Sequence, residues 1–379
     1  MAPSLVEPAP QQAPSYKGPT DYKDSGAVAG GPSRFNAEAE LHGVDGHHAA
    51  KYPAYLPTWD FQKNFPPLED FEYVERGAGV DERYPVLLPS GAQVDGVTGN
   101  IGKEVRGVQL SKLNAQGRNE LAHFVAKNRV VAFRDQDFAD APIGDAVEFV
   151  KYFGRLHVHP TSPAPAGFPE VHIVHRGAGD TNDSNFFADR LNSVAWHTDV
   201  SYERQPPGIT FLYMLDGPSA GGDTIFGNMV EAYNRLSPEF KKRLHGLQAV
   251  HSGLEQASLA SERGGHVRRE AVTSTHPVVR THPATGEKAL YVNPQFTRRI
   301  VGFKKEESDM LLKFLFDHVA LGQDFQARMK WAPGTVVVWD NRVTTHTAIV
   351  DWNNGERRHI ARITPQAERP YETPFEEAK

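Results

Sequence analysis

The chain has 379 residues, 39% hydrophobic and 23% charged, with a formal net charge of −6. Such a composition can bury a sizeable core in one large catalytic domain or two modest ones, and it lacks the basic excess of a nucleic-acid or anionic-membrane binder. There is no cysteine, which excludes disulfides, thiolate metal sites, iron–sulfur clusters and a cysteine nucleophile together; any metal must sit on His, Asp or Glu.

Residues 1–50 are rich in Ala, Pro, Gly and Ser without periodicity and are expected to form a flexible arm. The N-terminal residues show no basic flank with an apolar run behind it, and no apolar stretch approaches the roughly 18 residues of a membrane span. A cytoplasmic location is therefore expected. Residues 51–93 hold aromatics and prolines (Tyr55, Trp59, Phe61, Phe65, Phe71, Tyr73) that suit an extension wrapped over a domain, and the main domain is expected over 94–370. Within it, 101–110 reads as a strand, 114–128 as a helix with Leu121, Phe124 and Val125 on one face, and 129–134 as a short buried strand. A second helix is expected at 144–153 and a strand at 171–174. Short strands follow at 209–215, 224–226, 278–280, 289–292, 335–339 and 358–363, with helices at 229–236, 238–244 and 306–319. The polar stretch 255–274 is expected to be a surface loop or lid. The fold class is α+β, mainly β: many short strands punctuated by Gly and Pro suggest a jelly roll or barrel with helices packed on one side.

The segment Ala195-Trp196-His197-Thr198-Asp199-Val200 presents an imidazole and a carboxylate at i and i+2, on one side of an extended strand end. A second histidine would complete the 2-His-1-carboxylate triad of non-haem Fe(II) oxygenases. The candidate is His346, which follows the strand at 335–339 and the turn Asp340-Asn341-Arg342. With 17 histidines an HxD pair arises readily by chance, and the same ligand types hold zinc, although no HExxH motif supplies a general base. A barrel whose histidines are purely structural is the non-enzymatic alternative. Arg358 and Arg362 share a face of their strand, and a guanidinium inside a barrel needs an anionic partner that fits its planar fork. Arg357, out of phase with both, is expected to face solvent.

Four stretches together carry a family resemblance. They are Trp196-His197-Thr198-Asp199-Val200; Gly217-Pro218-Ser219-Ala220-Gly221-Gly222-Asp223-Thr224; Leu290-Tyr291-Val292-Asn293 with Phe296-Thr297-Arg298-Arg299-Ile300; and Trp339-Asp340-Asn341-Arg342-Val343-Thr344-Thr345-His346 with the arginines behind it. Over about residues 100–365 the chain resembles the taurine/α-ketoglutarate dioxygenase family, its fungal sulfonate dioxygenases in particular. The resemblance implies a double-stranded β-helix (jelly roll) in which His197, Asp199 and His346 hold Fe(II), with 2-oxoglutarate and O2 as co-substrates. It places the distal carboxylate of 2-oxoglutarate on Arg358 and Thr224. It places a small anionic substrate on His159 and Arg362, with Phe296 as an apolar wall. Ser162 and Ser193 stand where the taurine-specific members carry a tyrosine and an asparagine, which removes contacts near a substrate amine. The implied reaction is hydroxylation of a C–H bond, first choice an alkylsulfonate or related sulfur compound that then releases sulfite and an aldehyde. The alternative is a fungal biosynthetic tailoring oxygenase acting on an amino acid or other carboxylate by hydroxylation, desaturation or cyclisation. No nucleic-acid or membrane partner is expected, and homo-oligomerisation is left open.

Overall fold

The computed structural model describes residues 35–43, 46–180, 191–262, 264–352 and 355–376. Its strands are β1 (Gln93–Gly96), β2 (Lys103–Arg106), β3 (Val130–Phe133), β4 (Val171–Arg176), β5 (Ile209–Asp216), β6 (Thr224–Asn228), β7 (Gln248–Ser252), β8 (Thr273–Pro277), β9 (Val279–Thr281), β10 (Lys288–Leu290), β11 (Thr297–Ile300), β12 (Gln326–Met329), β13 (Val336–Asp340), β14 (Thr344–Ala348) and β15 (Arg358–Ile363). The helices are α1 (Ala37–His42), α2 (Ala115–Asn128), α3 (Ile143–Lys151), α4 (Met229–Asn234), α5 (Pro238–Leu244), α6 (Leu254–Glu262) and α7 (Lys305–Ala320).

Seven strands pair in the order β1-β2-β3-β13-β5-β15-β4, antiparallel except for β2 beside β3. Successive side chains of a strand leave on opposite faces, and here both faces are covered. Val131, Phe133, Phe211, Tyr213, Val336, Val338, Ala361 and Ile363 enter a core shared with α2 and α3. Val130, Ala132, Leu212, Met214, Val337, Trp339 and Ile360 enter a second core, closed by Phe226, Ala327 and Met329 of a three-stranded sheet β12-β6-β14. Two-sided burial explains why β13 reads Val336-Val337-Val338-Trp339 rather than alternating. A third core packs α4, α5 and α7 against β9 and β10. The helix starts follow local chemistry: Asn114 Oδ1 accepts the Gly117 N–H at 3.0 Å to open α2, and Ser237 caps α5 just before Pro238.

Some elements differ from expectation. The strand expected over 101–110 is only Lys103–Arg106, and the strands β1, β7, β8, β11, β12 and β14 were not expected. β14, Thr344-Thr345-His346-Thr347-Ala348, is buried almost throughout although four of its five residues are polar, so no hydrophobic period marks it. The stretch 255–274 is not simply a loop. It begins within α6, which buries none of its residues and so carries no apolar stripe to be read. No helix among the described residues is long and apolar enough to cross a membrane.

Most of the expected arm, residues 1–34, lies outside the described residues, but α1 is packed on the domain. Its Glu40 is 1% exposed and accepts from the Arg357 guanidinium at 2.6 Å and from the Ala178 N–H at 3.0 Å, with His175 Nε2 at 3.2 Å. Arg357 therefore does not face solvent. The face of β15 opposite Arg358 is covered by the N-terminal segment, where Arg357 also meets Asp216 at 2.9 Å and His359 bonds the Tyr55 carbonyl at 2.9 Å. Burial alone would raise the Glu40 pKa; the hydrogen bond and charge of His175, then Ala178 and Arg357, outweigh it and lower it from its ordinary 4.5 to about 2. A depressed carboxylate pKa contributes stability above its unfolded value and loses it as pH falls through the folded one. The melting temperature of Glu40→Gln should therefore lie below that of the natural chain at neutral pH, because removing one partner of a buried pair costs about 3–5 kcal/mol. A calorimetric pH series should show that gap constant above about 4.5 and closing toward about 2.

Candidate metal centre and its pocket

The two histidines of the site meet through the backbone. His197 donates its N–H to the His346 carbonyl at 2.9 Å, and His346 returns one to the His197 carbonyl at 2.8 Å. A hydrogen-bonded antiparallel pair sends its two side chains off one face side by side, and the ring centroids lie 4.2 Å apart. Phe226 stacks on the His346 ring at 5.6 Å, and Trp339 meets it edge-on at 5.1 Å. Asp199 reaches the same point from two residues further on, and Val200 then turns the chain with φ of 37°. That left-handed conformation is costly for a β-branched residue. Asn341 holds the turn, accepting the Asp199 N–H at 3.1 Å while its own amide donates to Thr210 Oγ1 at 2.8 Å.

Nε2 of His197 and Nε2 of His346 each lie 3.7 Å from Asp199 Oδ1, too far to hydrogen-bond. The three ligand atoms all fall within 4.8 Å of one another. Ligands about 2.1 Å from a shared ion stand at most about 4.2 Å apart, so the 3.7 Å edges fit one. His197 Nδ1 lies 3.0 Å from the Ala195 carbonyl, which only accepts, so Nδ1 is the donor and Nε2 is the nitrogen left for a metal. Burial, reinforced by His197, holds the His346 pKa well below its usual range. Burial would raise Asp199, but Arg362, then His346 and His197, hold it well below the carboxylate range. Neutral imidazoles and an ionised carboxylate are the state a divalent metal requires, and this donor set, with no thiolate, fits Fe(II).

One cavity brings together His197, Asp199 and His346 with Thr224, Arg358, His159, Ser162, Phe296 and Arg362. Ser193 is not part of its lining. Its hydroxyl accepts the Val350 N–H at 3.0 Å and supports the backbone instead, which corrects the expectation for that residue. Arg358 is 4% exposed and has no ion pair among the described residues; its Nε donates to the Gly222 carbonyl at 3.0 Å. Burial lowers its pKa to about 10 against the pull of Asp223 and Asp351, so it stays charged at neutral pH. Gly222 has φ of +68°, and a Cβ there would sit 3.0 Å from Arg358 Nε. Its N–H is anchored on Asp351 at 2.7 Å. Glycine is thus required both by the turn and by the guanidinium lying against it.

At the other end, Arg362 donates to Asp199 Oδ1 at 2.5 Å and to His172 Nδ1 at 2.6 Å. The same cavity is lined by apolar Val174, Leu212, Phe296 and Ile360, by Trp59 of the N-terminal extension and Leu259 of α6, and by neutral polar Thr161, Gln256 and Gln295. Gly222 was readable as part of a Gly-Gly turn, whereas His172, Trp59, Gln256 and Leu259 were missed from the sequence. These four are placed by strand pairing and by packing of distant segments.

Comparison with known proteins agrees with this geometry. Residues 93–364 match the model of the "Taurine catabolism dioxygenase TauD, TfdA family". The chain is 44% identical to the alpha-ketoglutarate-dependent sulfonate dioxygenase of Saccharomyces cerevisiae, over 85% of this chain and 79% of that one. It is 43% identical to the alpha-ketoglutarate-dependent dioxygenase cnsP of Penicillium expansum, over 87% and 90% respectively. Among solved structures, a taurine dioxygenase from Burkholderia xenovorans superposes with a TM-score of 0.61 at 31% identity, covering 74% of this chain and 92% of that one.

His197→Ala, Asp199→Ala and His346→Ala should each weaken Fe(II) binding by more than the roughly 100-fold that loss of a merely supporting group costs. His159→Ala should leave it within about threefold, because that ring is not among the three ligands. Anaerobic Fe(II) titration measures both, and an unweakened triad variant would break the assignment.

Proposed function

The chain belongs to the TauD, TfdA family and is an Fe(II)- and 2-oxoglutarate-dependent dioxygenase, and on that premise we propose that it hydroxylates a small organic anion with an uncharged tail, an alkylsulfonate or related sulfur compound. The observation that carries this reading is the charge distribution of the pocket. Beyond Arg358 and the metal histidines, its cations and imidazoles lie at Arg362, His159 and His172, its other lining residues are neutral, and its single lining acid among the described residues is Asp199, one of the three metal-ligand candidates. An ammonium group on the substrate would be buried without a partner, at several kcal/mol. That disfavours both taurine and a zwitterionic amino acid.

The roles follow from placement. His197, Asp199 and His346 would hold Fe(II). Arg358 and the Thr224 hydroxyl receive the distal carboxylate of 2-oxoglutarate, which gives the buried guanidinium the direct ion pair it does not make among the described residues. Arg362 and His159 orient the substrate anion, and Phe296, Leu212 and Ile360 exclude water from the reacting carbon. The chemistry supplied when Fe(II), 2-oxoglutarate and O2 are bound is oxidative decarboxylation to succinate and CO2, coupled to hydroxylation of a substrate C–H bond. On a carbon bearing sulfonate, the hydroxylated product collapses to aldehyde and sulfite. Two facing sheets enclosing this pocket support the double-stranded β-helix as the family architecture. A cytoplasmic location belongs to the same reading. A simple carboxylate on Arg362, as in a biosynthetic tailoring oxygenase, is the second reading, favoured by the fit of a guanidinium to either anion.

Two measurements test these assignments. Gly222→Ala should weaken 2-oxoglutarate about tenfold with Fe(II) affinity unchanged, since the added Cβ would stand 3.0 Å from Arg358 Nε and shift the guanidinium, and a weakened hydrogen bond to a charged group costs about 1.5 kcal/mol. Alkylsulfonates should yield sulfite and succinate in equal amounts, with taurine at least about tenfold poorer in kcat/KM because its ammonium is unpaired. Succinate without sulfite across the sulfonates, with turnover of carboxylates, would replace the first reading by the second.

A further inference from the structure

His172 has no part in the metal site or in the family resemblance, yet it lines the cavity beside Arg362. Strand register places it directly opposite Arg362, with His172 on β4 facing Arg362 on β15. Arg362 Nη2 reaches His172 Nδ1 at 2.6 Å. A guanidinium N–H can only donate, so Nδ1 is the acceptor and the proton of the neutral ring resides on Nε2. The ring is held neutral by its burial, reinforced by the charge of Arg362. The same logic applies to His159, whose Nδ1 accepts the Thr161 N–H at 3.3 Å and whose pKa is lowered by burial and by His172. The two rings stand 4.5 Å apart and both line the cavity. Each uses its Nδ1 on the protein and keeps an Nε2–H donor that no described residue accepts.

We propose that His172 is a third donor to the substrate anion, so that Arg362, His159 and His172 form a tripod that selects a three-oxygen headgroup, sulfonate or sulfate ester, over a planar carboxylate. The proposal rests on the reading of Arg362 as the substrate's anchor. A carboxylate presents two oxygens in one plane, and one arginine fork can satisfy both. A sulfonate or sulfate presents three oxygens that do not share a plane with the carbon chain, and its third oxygen needs a donor from another direction. Arg362, His159 and His172 come from three separate segments of the chain: a strand, a loop and the neighbouring strand. The loop is itself fixed, because Arg268 donates to the His159 carbonyl at 2.7 Å and to the Ser162 carbonyl at 2.5 Å. Bound to a carboxylate, the site would leave one of these imidazole N–H groups unpaired.

Two substitutions separate recognition from support. His172→Asn puts an acceptor where Nδ1 stood, keeps the Arg362 contact and loses the outward donor; His172→Gln carries an amide N–H to the Nε2 position. The probes are hexanesulfonate, hexyl sulfate and heptanoate, titrated by calorimetry into the anaerobic Fe(II)- and 2-oxoglutarate-loaded enzyme, with KM and kcat for succinate in parallel. H172N should weaken hexanesulfonate and hexyl sulfate by about 10- to 100-fold, the worth of a hydrogen bond to a charged group, with heptanoate changed less than about threefold. H172Q should stay within about threefold of the natural chain for all three, and kcat should move little in either variant. Equal losses for all three anions, no loss in H172N, or a greater loss in H172Q than in H172N would make His172 a support for Arg362 alone and overturn the tripod. If the natural chain binds heptanoate better than the sulfur anions, the tripod fails while the dioxygenase stands. If it binds none of the three, the proposed substrate class fails first.

Discussion

Two backbone hydrogen bonds decide whether this protein has a metal site. The reciprocal pair between His197 and His346 joins segments far apart in sequence and places two imidazoles 4.2 Å apart on one face. Everything else in the centre is arranged around that bridge. The next residues bring Asp199 onto the same point, and Asn341, on the turn just before His346, holds the Asp199 backbone. The turn that delivers one histidine therefore also orients the carboxylate beside the other. It is itself anchored by a buried charge network: Arg342 pairs with Asp340, with Glu75 of the N-terminal extension and with Glu368 of the C-terminal segment. Remote parts of the chain thus converge on one rigid corner, as a preorganised site needs.

The buried arginines show how the fold divides structure from function. Arg129 has Glu287, Arg357 has Glu40 and Asp216, and Arg342 has three acids. These cations are neutralised within the chain and serve the fold. Arg358 differs: among the described residues its only direct hydrogen-bond partner is the Gly222 carbonyl, with Trp352 beneath it at 5.7 Å. A buried cation that forms no ion pair among the described residues is costly unless a ligand supplies one. Neighbours Arg357 and Arg358 thus differ: Arg357, just before β15, pairs with Glu40 and Asp216, while Arg358 opens β15 and lines the cavity.

Much was legible in the sequence because it rests on local rules. The helix at 238–244 has its Ser cap and N1 proline, the strand at 358–363 has its alternating face, and the Gly-Gly turn before Thr224 has its permissive backbone. The HxD pair, the later histidine and the two in-phase arginines were readable as a set through the resemblance that four stretches carry together, since a single buried histidine or arginine has many structural uses. The polar strand β14 and the helix α6 escaped, because neither carries a hydrophobic period. Arg357 was misplaced because the covering acid, Glu40, lies in a stretch whose composition reads as an arm.

By itself the sequence determined the chemistry: which residues can bind a metal, which face of a strand carries the arginines, and that no thiolate takes part. Residue type and the period of two are local properties, and they survive in a linear string. Only the tertiary structure decided the neighbours. It set His172 opposite Arg362, brought Trp59 and Leu259 to the mouth of the pocket, and sent Ser193 to hold the Val350 backbone instead of a ligand. Pairing register and the packing of distant segments fix those contacts, and neither leaves a periodic mark on the residues it joins.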